Sequence, residues 1–328
     1  MNMKKSFALI LSLVMLVFLC FPLSVYAEEK PQPPEEVVQA KAAILMSMDT
    51  GEVLYQLNET EHLSPASVTK IMTLLLVLEA IDNGTISLTD NVTASPEAES
   101  MGGSQIWLEV GETMTVEELL KAVVVASAND ACTALAEYVG GSTTGFVKMM
   151  NDKAAELGLT NTNFENCNGL DDTVTNHYSC AYDLAVISCE VMKHEMIKDY
   201  TGIWLDHLRN GETELNNTNK LVNTYNGITG LKTGTTSNAG FCISATAERD
   251  GMSLVAVVLG SETSEQRFDT AAQLLDFGFA NYQLFEADID DSQITPVKIK
   301  MGTEKEITPT YNSSSKVLVM RGGGEATY

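Results

Sequence analysis

Three short strings in this sequence carry side chains suited to attack on a carbonyl. Ser67-Val68-Thr69-Lys70 sets a hydroxyl and an amine three residues apart, on one face of a helix. Ser67 falls at a helix start, where backbone N–H groups lack partners. Its hydroxyl can attack while its own N–H helps hold the resulting oxyanion. Lys70 can take the hydroxyl proton only when neutral, a state that burial and a second nearby cation favour. Ser127-Ala128-Asn129 falls at a break between helices, where Ser127 could relay protons and Asn129 could hydrogen-bond a substrate backbone. Lys232-Thr233-Gly234-Thr235 lies in a strand-like run. A glycine there lets another backbone approach closely, so a peptide could pair as an added strand. Lys232 and the Thr233 and Thr235 hydroxyls suit a carboxylate, and the Thr235 N–H suits a second oxyanion donor. Taken singly, each string has an ordinary explanation: a helix start with a surface lysine, a cap, a strand with a turn glycine.

The elements that must position these strings follow from pattern. Ala43–Met48 and Val53–Leu57 flank Asp49-Thr50-Gly51-Glu52 and read as a hairpin. Ser64-Pro65 opens an apolar helix from about Ser67 to Ile81, stopped by Asn83-Gly84. Thr115-Val116-Glu117-Glu118 is a capping box for a helix from Val116 to about Ala126. Further helices are expected over Asp130–Tyr138, Thr144–Leu157, Tyr182–Met192 and Ser264–Phe279. Gly230–Thr236, Gly240–Glu248 and Met252–Leu259 read as strands, with Asp250-Gly251 as a hairpin turn. Strands at both ends of the body must meet in one sheet. The expectation is a mixed α/β fold: an antiparallel sheet flanked by helices, with a helical insert on one side.

The order S-x-x-K, S-x-N, K-T-G, on helix, helix break and strand, is the set shared by class A β-lactamases and penicillin-binding proteins. Over about residues 35–285 the chain resembles the D-alanyl-D-alanine carboxypeptidases, the low-molecular-mass penicillin-binding proteins. The likeness extends to Ala43-Ile44-Leu45-Met46 with Asp49-Thr50-Gly51, Ser100-Met101-Gly102-Gly103-Ser104, Leu157-Gly158-Leu159, Gly169-Leu170-Asp171 and Leu274-Leu275-Asp276-Phe277-Gly278-Phe279. The resemblance implies a β-lactamase/transpeptidase-like fold. It also implies a peptidoglycan pentapeptide substrate ending in D-Ala-D-Ala, attacked by Ser67 at the penultimate carbonyl, with β-lactam antibiotics acylating the same serine. Lys232 and Thr233, with Arg267, would hold the terminal carboxylate; the other reading of Arg267 is a surface residue at a helix N-terminus. Two positions depart from the family pattern: Ala128 stands where Gly is common, and Asn168 where several members carry His.

Rival readings are a class A-like serine β-lactamase and a non-catalytic peptidoglycan-binding protein. The first would need a loop glutamate to activate water; Glu165 lies in the right region, but without the Leu-Asn that follows such a residue, and it reads as an exposed loop carboxylate. Against the second, every catalytic position is filled.

Lys4 and Lys5, an apolar run from Phe7 to about Phe21, and Val25-Tyr26-Ala27 form a signal peptide over 1–27, cleaved before Glu28. The protein is thus expected to be exported. A Pro-rich linker covers 28–37, the catalytic domain 38–286, and residues 287–328 read as the start of a partial β-rich domain. Nothing in the sequence supports membrane attachment through the C-terminus. Net charge is −24, which disfavours nucleic acid. Past the leader an odd number of cysteines remains (Cys132, Cys167, Cys180, Cys189 and Cys242), without CxxC spacing, so neither a disulfide framework nor a metal or other cofactor is expected. The 4 histidines are scattered and read as surface or hydrogen-bonding groups.

Overall fold

The computed structural model describes residues 31–172, 174–287, 295–309 and 315–322. The expected signal peptide, residues 1–27, and the first residues of the linker lie outside them. The linker's end forms a 3-10 turn, Glu35–Val37, and Val37 O accepts from Thr270 Oγ1 at 3.4 Å.

Strands β1 (Ala42–Ser47), β2 (Val53–Leu57), β3 (Ile228–Thr236), β4 (Gly240–Arg249) and β5 (Met252–Ser261) form one antiparallel sheet in the order β2-β1-β5-β4-β3. The N-terminal hairpin thus joins the C-terminal meander, as the two separated strand groups require. Side chains alternate between two buried faces. Ala42, Ile44 and Met46 of β1 face one core with Val255 and Val257; Ala43 and Leu45 face the other with Leu254 and Ala256. Both faces are covered, so the strands read as continuous apolar runs rather than alternating ones.

On the first face lie α1 (Lys70–Asp82), α2 (Val116–Lys121), α3 (Asn129–Gly140), α4 (Thr143–Glu156) and α5 (Ala181–Met192). Ten of the thirteen residues of α1 are buried, and the helix has little amphipathic character because it runs through the core's centre, where Ile71, Leu74, Val77 and Leu78 are all fully buried. The capping box at Thr115 is formed as expected, with Thr115 Oγ1 accepting from Glu118 N and Glu118 Oε2 accepting from Thr115 N. On the second face lies α6 (Ser264–Asn281).

Two helix expectations need correcting. Ala66–Thr69 is a 3-10 turn, and α1 begins only at Lys70. The helix from Val116 does not run uniformly to Ala126: its last five residues, Ala122–Ala126, form a π-helical turn that ends in left-handed Ser127. Short runs of this kind mark functional positions more often than regular helix does. The hairpin of Leu205–Leu208 with Thr213–Asn216 had no clear sequence signal. Beyond α6, β6 (Tyr282–Ala287) pairs with β7 (Ser315–Met320), and Tyr282 and Leu318 join the second core. No described helix is long and apolar enough to cross a membrane.

Candidate active site

The turn Ala66–Thr69 decides the geometry of the first pair. In a 3-10 helix the side chains of residues i and i+3 eclipse. Lys70 therefore lies directly under Ser67, with Nζ 2.9 Å from Ser67 Oγ. Lys70 is fully buried. Its Nζ also reaches Asn129 Oδ1 at 2.5 Å and Asn168 O at 2.7 Å. Burial pulls its pKa down to about 8, against the opposing pull of Cys132, Cys167 and Asp130.

These three partners fix the direction of proton transfer. A protonated Lys70 has three donors, one for each oxygen. A neutral Lys70 keeps two donors and gains one lone pair. Asn129 Oδ1 and Asn168 O can only accept, so they retain the two N–H groups. The lone pair is left facing Ser67 Oγ, the one partner that can donate.

The second string joins the first through Asn129. Its Oδ1 accepts from Lys70, and its Nδ2 donates to Gly102 O at 2.7 Å, which leaves one amide N–H uncommitted. Its backbone N donates to Ser104 O at 2.7 Å. Ser127, at φ 61, is nearly buried at the end of the π turn.

The third string closes the other wall. An added Cβ on Gly234 would lie 2.8 Å from Pro65 O and 2.9 Å from Ser67 N. The close backbone approach expected there is thus made by the Ser67 turn itself. Lys232 is buried, and its Nζ donates to Thr233 O at 3.0 Å. Thr233 Oγ1 donates to Thr218 Oγ1 at 2.7 Å. Burial, then repulsion from Lys70 and Arg267, hold Lys232 well below the usual ammonium range. Burial is the largest cause of the lowering for both amines.

Arg267 is no surface residue. It is buried over the rings of Phe241 and Phe268. Its Nη1 donates to Gly234 O at 2.9 Å, Thr235 Oγ1 at 2.8 Å and Cys242 O at 3.2 Å, so it braces the strand that carries Lys232 and Thr235. Burial pushes its pKa down to about 10.

Several neighbours of the site make contacts that their residue types did not signal. Asn168 contributes a main-chain carbonyl, which no residue type signals. Gly169 packs so tightly that a Cβ would meet Ala66 O at 1.8 Å. His177 is buried; its Nδ1 accepts from Glu165 N at 3.0 Å, so its Nε2 carries the proton toward Thr69 Oγ1, 2.8 Å away. Burial lowers it to about 4. Asp171 Oδ2 accepts from Ser64 Oγ and Thr236 Oγ1, tying the loop to both walls. Glu165 is exposed, and its Oε2 accepts from Thr175 N at 2.9 Å and Asn176 N at 2.8 Å. Among the described residues no group of acidic, histidine or cysteine side chains could hold a metal ion, and all five described cysteines are free thiols.

The sequence model of the D-alanyl-D-alanine carboxypeptidase family matches residues 27–263. The D-alanyl-D-alanine carboxypeptidase DacF of Bacillus subtilis is 43% identical over 314 residues, covering 94% of this chain and 80% of that protein. DacC of Escherichia coli is 34% identical over 313 residues, covering 93% and 77%. Among solved structures, penicillin binding protein 5 from Haemophilus influenzae superposes with a TM-score of 0.81 at 30% identity, over 89% of this chain and 85% of that one. The ampicillin-bound penicillin-binding protein D2 of Listeria monocytogenes gives 0.69 at 32% identity, over 75% and 100%.

Proposed function

Because this chain belongs to the D-alanyl-D-alanine carboxypeptidase family, we propose that it removes the terminal D-Ala from a peptidoglycan stem pentapeptide through an acyl-enzyme on Ser67. The observation that carries this reading is the buried Lys70 amine 2.9 Å from Ser67 Oγ, with two acceptor-only oxygens on its other sides.

In the reaction, Ser67 Oγ bonds to the penultimate carbonyl carbon as its proton passes to neutral Lys70. The carbonyl oxygen becomes an oxyanion held by the N–H groups of Ser67 and Thr235. The free N–H of Asn129 Nδ2 orients the substrate backbone. The C–N bond then breaks. The departing D-Ala amine receives a proton from Ser127, which Lys70 replenishes. Water hydrolyses the ester on Ser67. Lys232 and Thr233 bind the terminal carboxylate, and Arg267 holds their strand in place. An arriving carboxylate favours the charged form of Lys232, against the burial that disfavours it. β-Lactams enter the same first step, their ring amide opening onto Ser67.

Glu165 gives no support to a β-lactamase, since two backbone amides occupy its carboxylate. Rapid catalytic hydrolysis of a chromogenic cephalosporin would overturn the carboxypeptidase reading. The direct test is Ser67→Ala: D-Ala release from a pentapeptide is lost, as is the penicilloyl mass on the peptide containing residue 67. Persistence of either activity in that variant removes Ser67 from the mechanism. Lys70 acts when deprotonated, so penicillin acylation rises with pH, about tenfold per unit at first, and levels off above pH about 8. A rate independent of pH between 6 and 9 would exclude Lys70 as the base. The substrate lies outside the cytoplasmic membrane, so we read residues 1–27 as an export signal, 38–286 as the catalytic body and 287–328 as the start of a β-rich appendage.

A further inference from the structure

The chain contains 2 tryptophans, and one of them, Trp107, is 75% exposed. Its backbone has φ 61, a left-handed conformation that a bulky side chain adopts only when its surroundings impose it. The surroundings do so from both sides. Buried Asp130 accepts from Ile106 N at 3.1 Å and from Leu108 N at 3.1 Å. Arg209 donates to Ile106 O at 2.8 Å and to Trp107 O at 3.5 Å, while gripping Glu112 at 2.6 Å. The peptide groups on either side of Trp107 are therefore fixed, and the indole is held out in water.

The place of this platform is set by the site. Asp130 follows Asn129 directly, and Asn129 N donates to Ser104 O. Three residues separate Ser104 from Trp107, a span of at most about 10 Å. Trp107 thus lies within reach of the segment that meets Asn129, with its indole exposed. Val110 on the same loop is also exposed.

We propose that Trp107 is a stacking platform for the glycan strand to which the stem peptide is attached. The inference rests on the carboxypeptidase reading, since peptidoglycan joins a peptide to a polymer of uncharged N-acetyl sugars. The flat C–H face of a pyranose matches an indole face, and a rigid aromatic loses little conformational freedom on contact. Lipid is the poorer occupant: Glu109 and Glu112 lie on the same loop, and the chain's 44 acidic against 20 basic residues repel anionic headgroups.

The test uses the full chain with Trp204→Phe, so that Trp107 is the sole indole reporter. Uncharged N-acetylglucosamine strands should quench or blue-shift its emission saturably, and phosphatidylglycerol vesicles should not. No response to the strands, or a response to vesicles alone, overturns the proposal. In a second arm, Trp107→Ala should lower the ratio of kcat/KM for a disaccharide-pentapeptide to that for the free pentapeptide by about tenfold, and Trp107→Phe should keep most of it. An unchanged ratio also overturns the proposal. D-Ala release from the free pentapeptide by the unaltered chain reports on the carboxypeptidase reading separately.

Discussion

Two loops meet at Asn129 and Lys70, and they are built in opposite ways. The segment around 165–170 is folded inward. Asn166 Oδ1 accepts from Gly169 N, Asn168 Oδ1 from Leu170 N, and Cys167 O accepts from Thr73 Oγ1, so its polar groups are satisfied locally and beneath it. The segment 100–112 reaches Asn129 through two carbonyls, Gly102 O and Ser104 O; it buries Ile106 and Leu108 and leaves Gly102, Gly103, Ser104, Trp107 and Val110 exposed. The first loop supplies a fixed acceptor to a buried amine. It must be dry and immobile, because a wandering Asn168 carbonyl would free Lys70 to turn away from Ser67. The second props Asn129 with its carbonyls and is anchored beneath by Ile106 and Leu108, while Trp107 and Val110 are displayed to water. The lesson is that proximity to a catalytic group does not fix how tightly a loop is packed; the kind of bond it contributes does.

This contrast can be broken by substitution. Gly169→Ala should have the largest effect. At φ +84, with a Cβ 1.8 Å from Ala66 O, the backbone of one segment must move. We expect a loss of about 4 kcal/mol in stability and at least about a hundredfold in acylation rate, read by denaturant melts and penicillin labelling. A variant of normal activity would refute the claim that this loop is immovable.

Next comes acid. His177 is lowered to about 4 from 6.5, so between these pH values the unfolded chain binds a proton that the folded one refuses. Stability therefore falls as pH falls from 6.5 to 4, by about 3 kcal/mol, and is independent of this residue above 6.5. His177→Asn should remove that slope in melts taken across the window; a variant that keeps it shifts the cause to another group. The smallest effect is expected at Gly102, which has ordinary φ and nothing within 4 Å of an added Cβ. Gly102→Ala should change stability by less than about 0.5 kcal/mol. A large loss there would erase the distinction between the loops.

Ser67, Lys70, Ser127, Asn129 and Lys232 stood out because they lie in short strings whose side chains suit the proposed chemistry. The sheet was legible because its strands are long apolar runs at the two ends of the body. What stayed hidden is of another kind. The third acceptor for Lys70 is a backbone carbonyl, and the packing of Gly169 and Gly234 depends on segments distant in sequence. Arg267 looked like a helix-start residue because its burial is created by Phe241, from a different strand. The lowering of the two amines comes first from burial, which distant segments create around them. Such properties belong to the assembled environment rather than to any residue's own type.

β3 is an outer strand of the sheet. A strand with one bare margin attracts other extended chains, and self-association is the usual penalty. A protein that must keep such a margin accessible cannot hide it behind a helix. Here the Pro65–Val68 turn abuts the strand at Gly234, and the Thr218 hydroxyl meets it at Thr233. These contacts hold the strand in place at Thr233 and Gly234, and the strong negative charge keeps copies apart. Colloidal stability and access for a peptide end are thus reconciled along one strand.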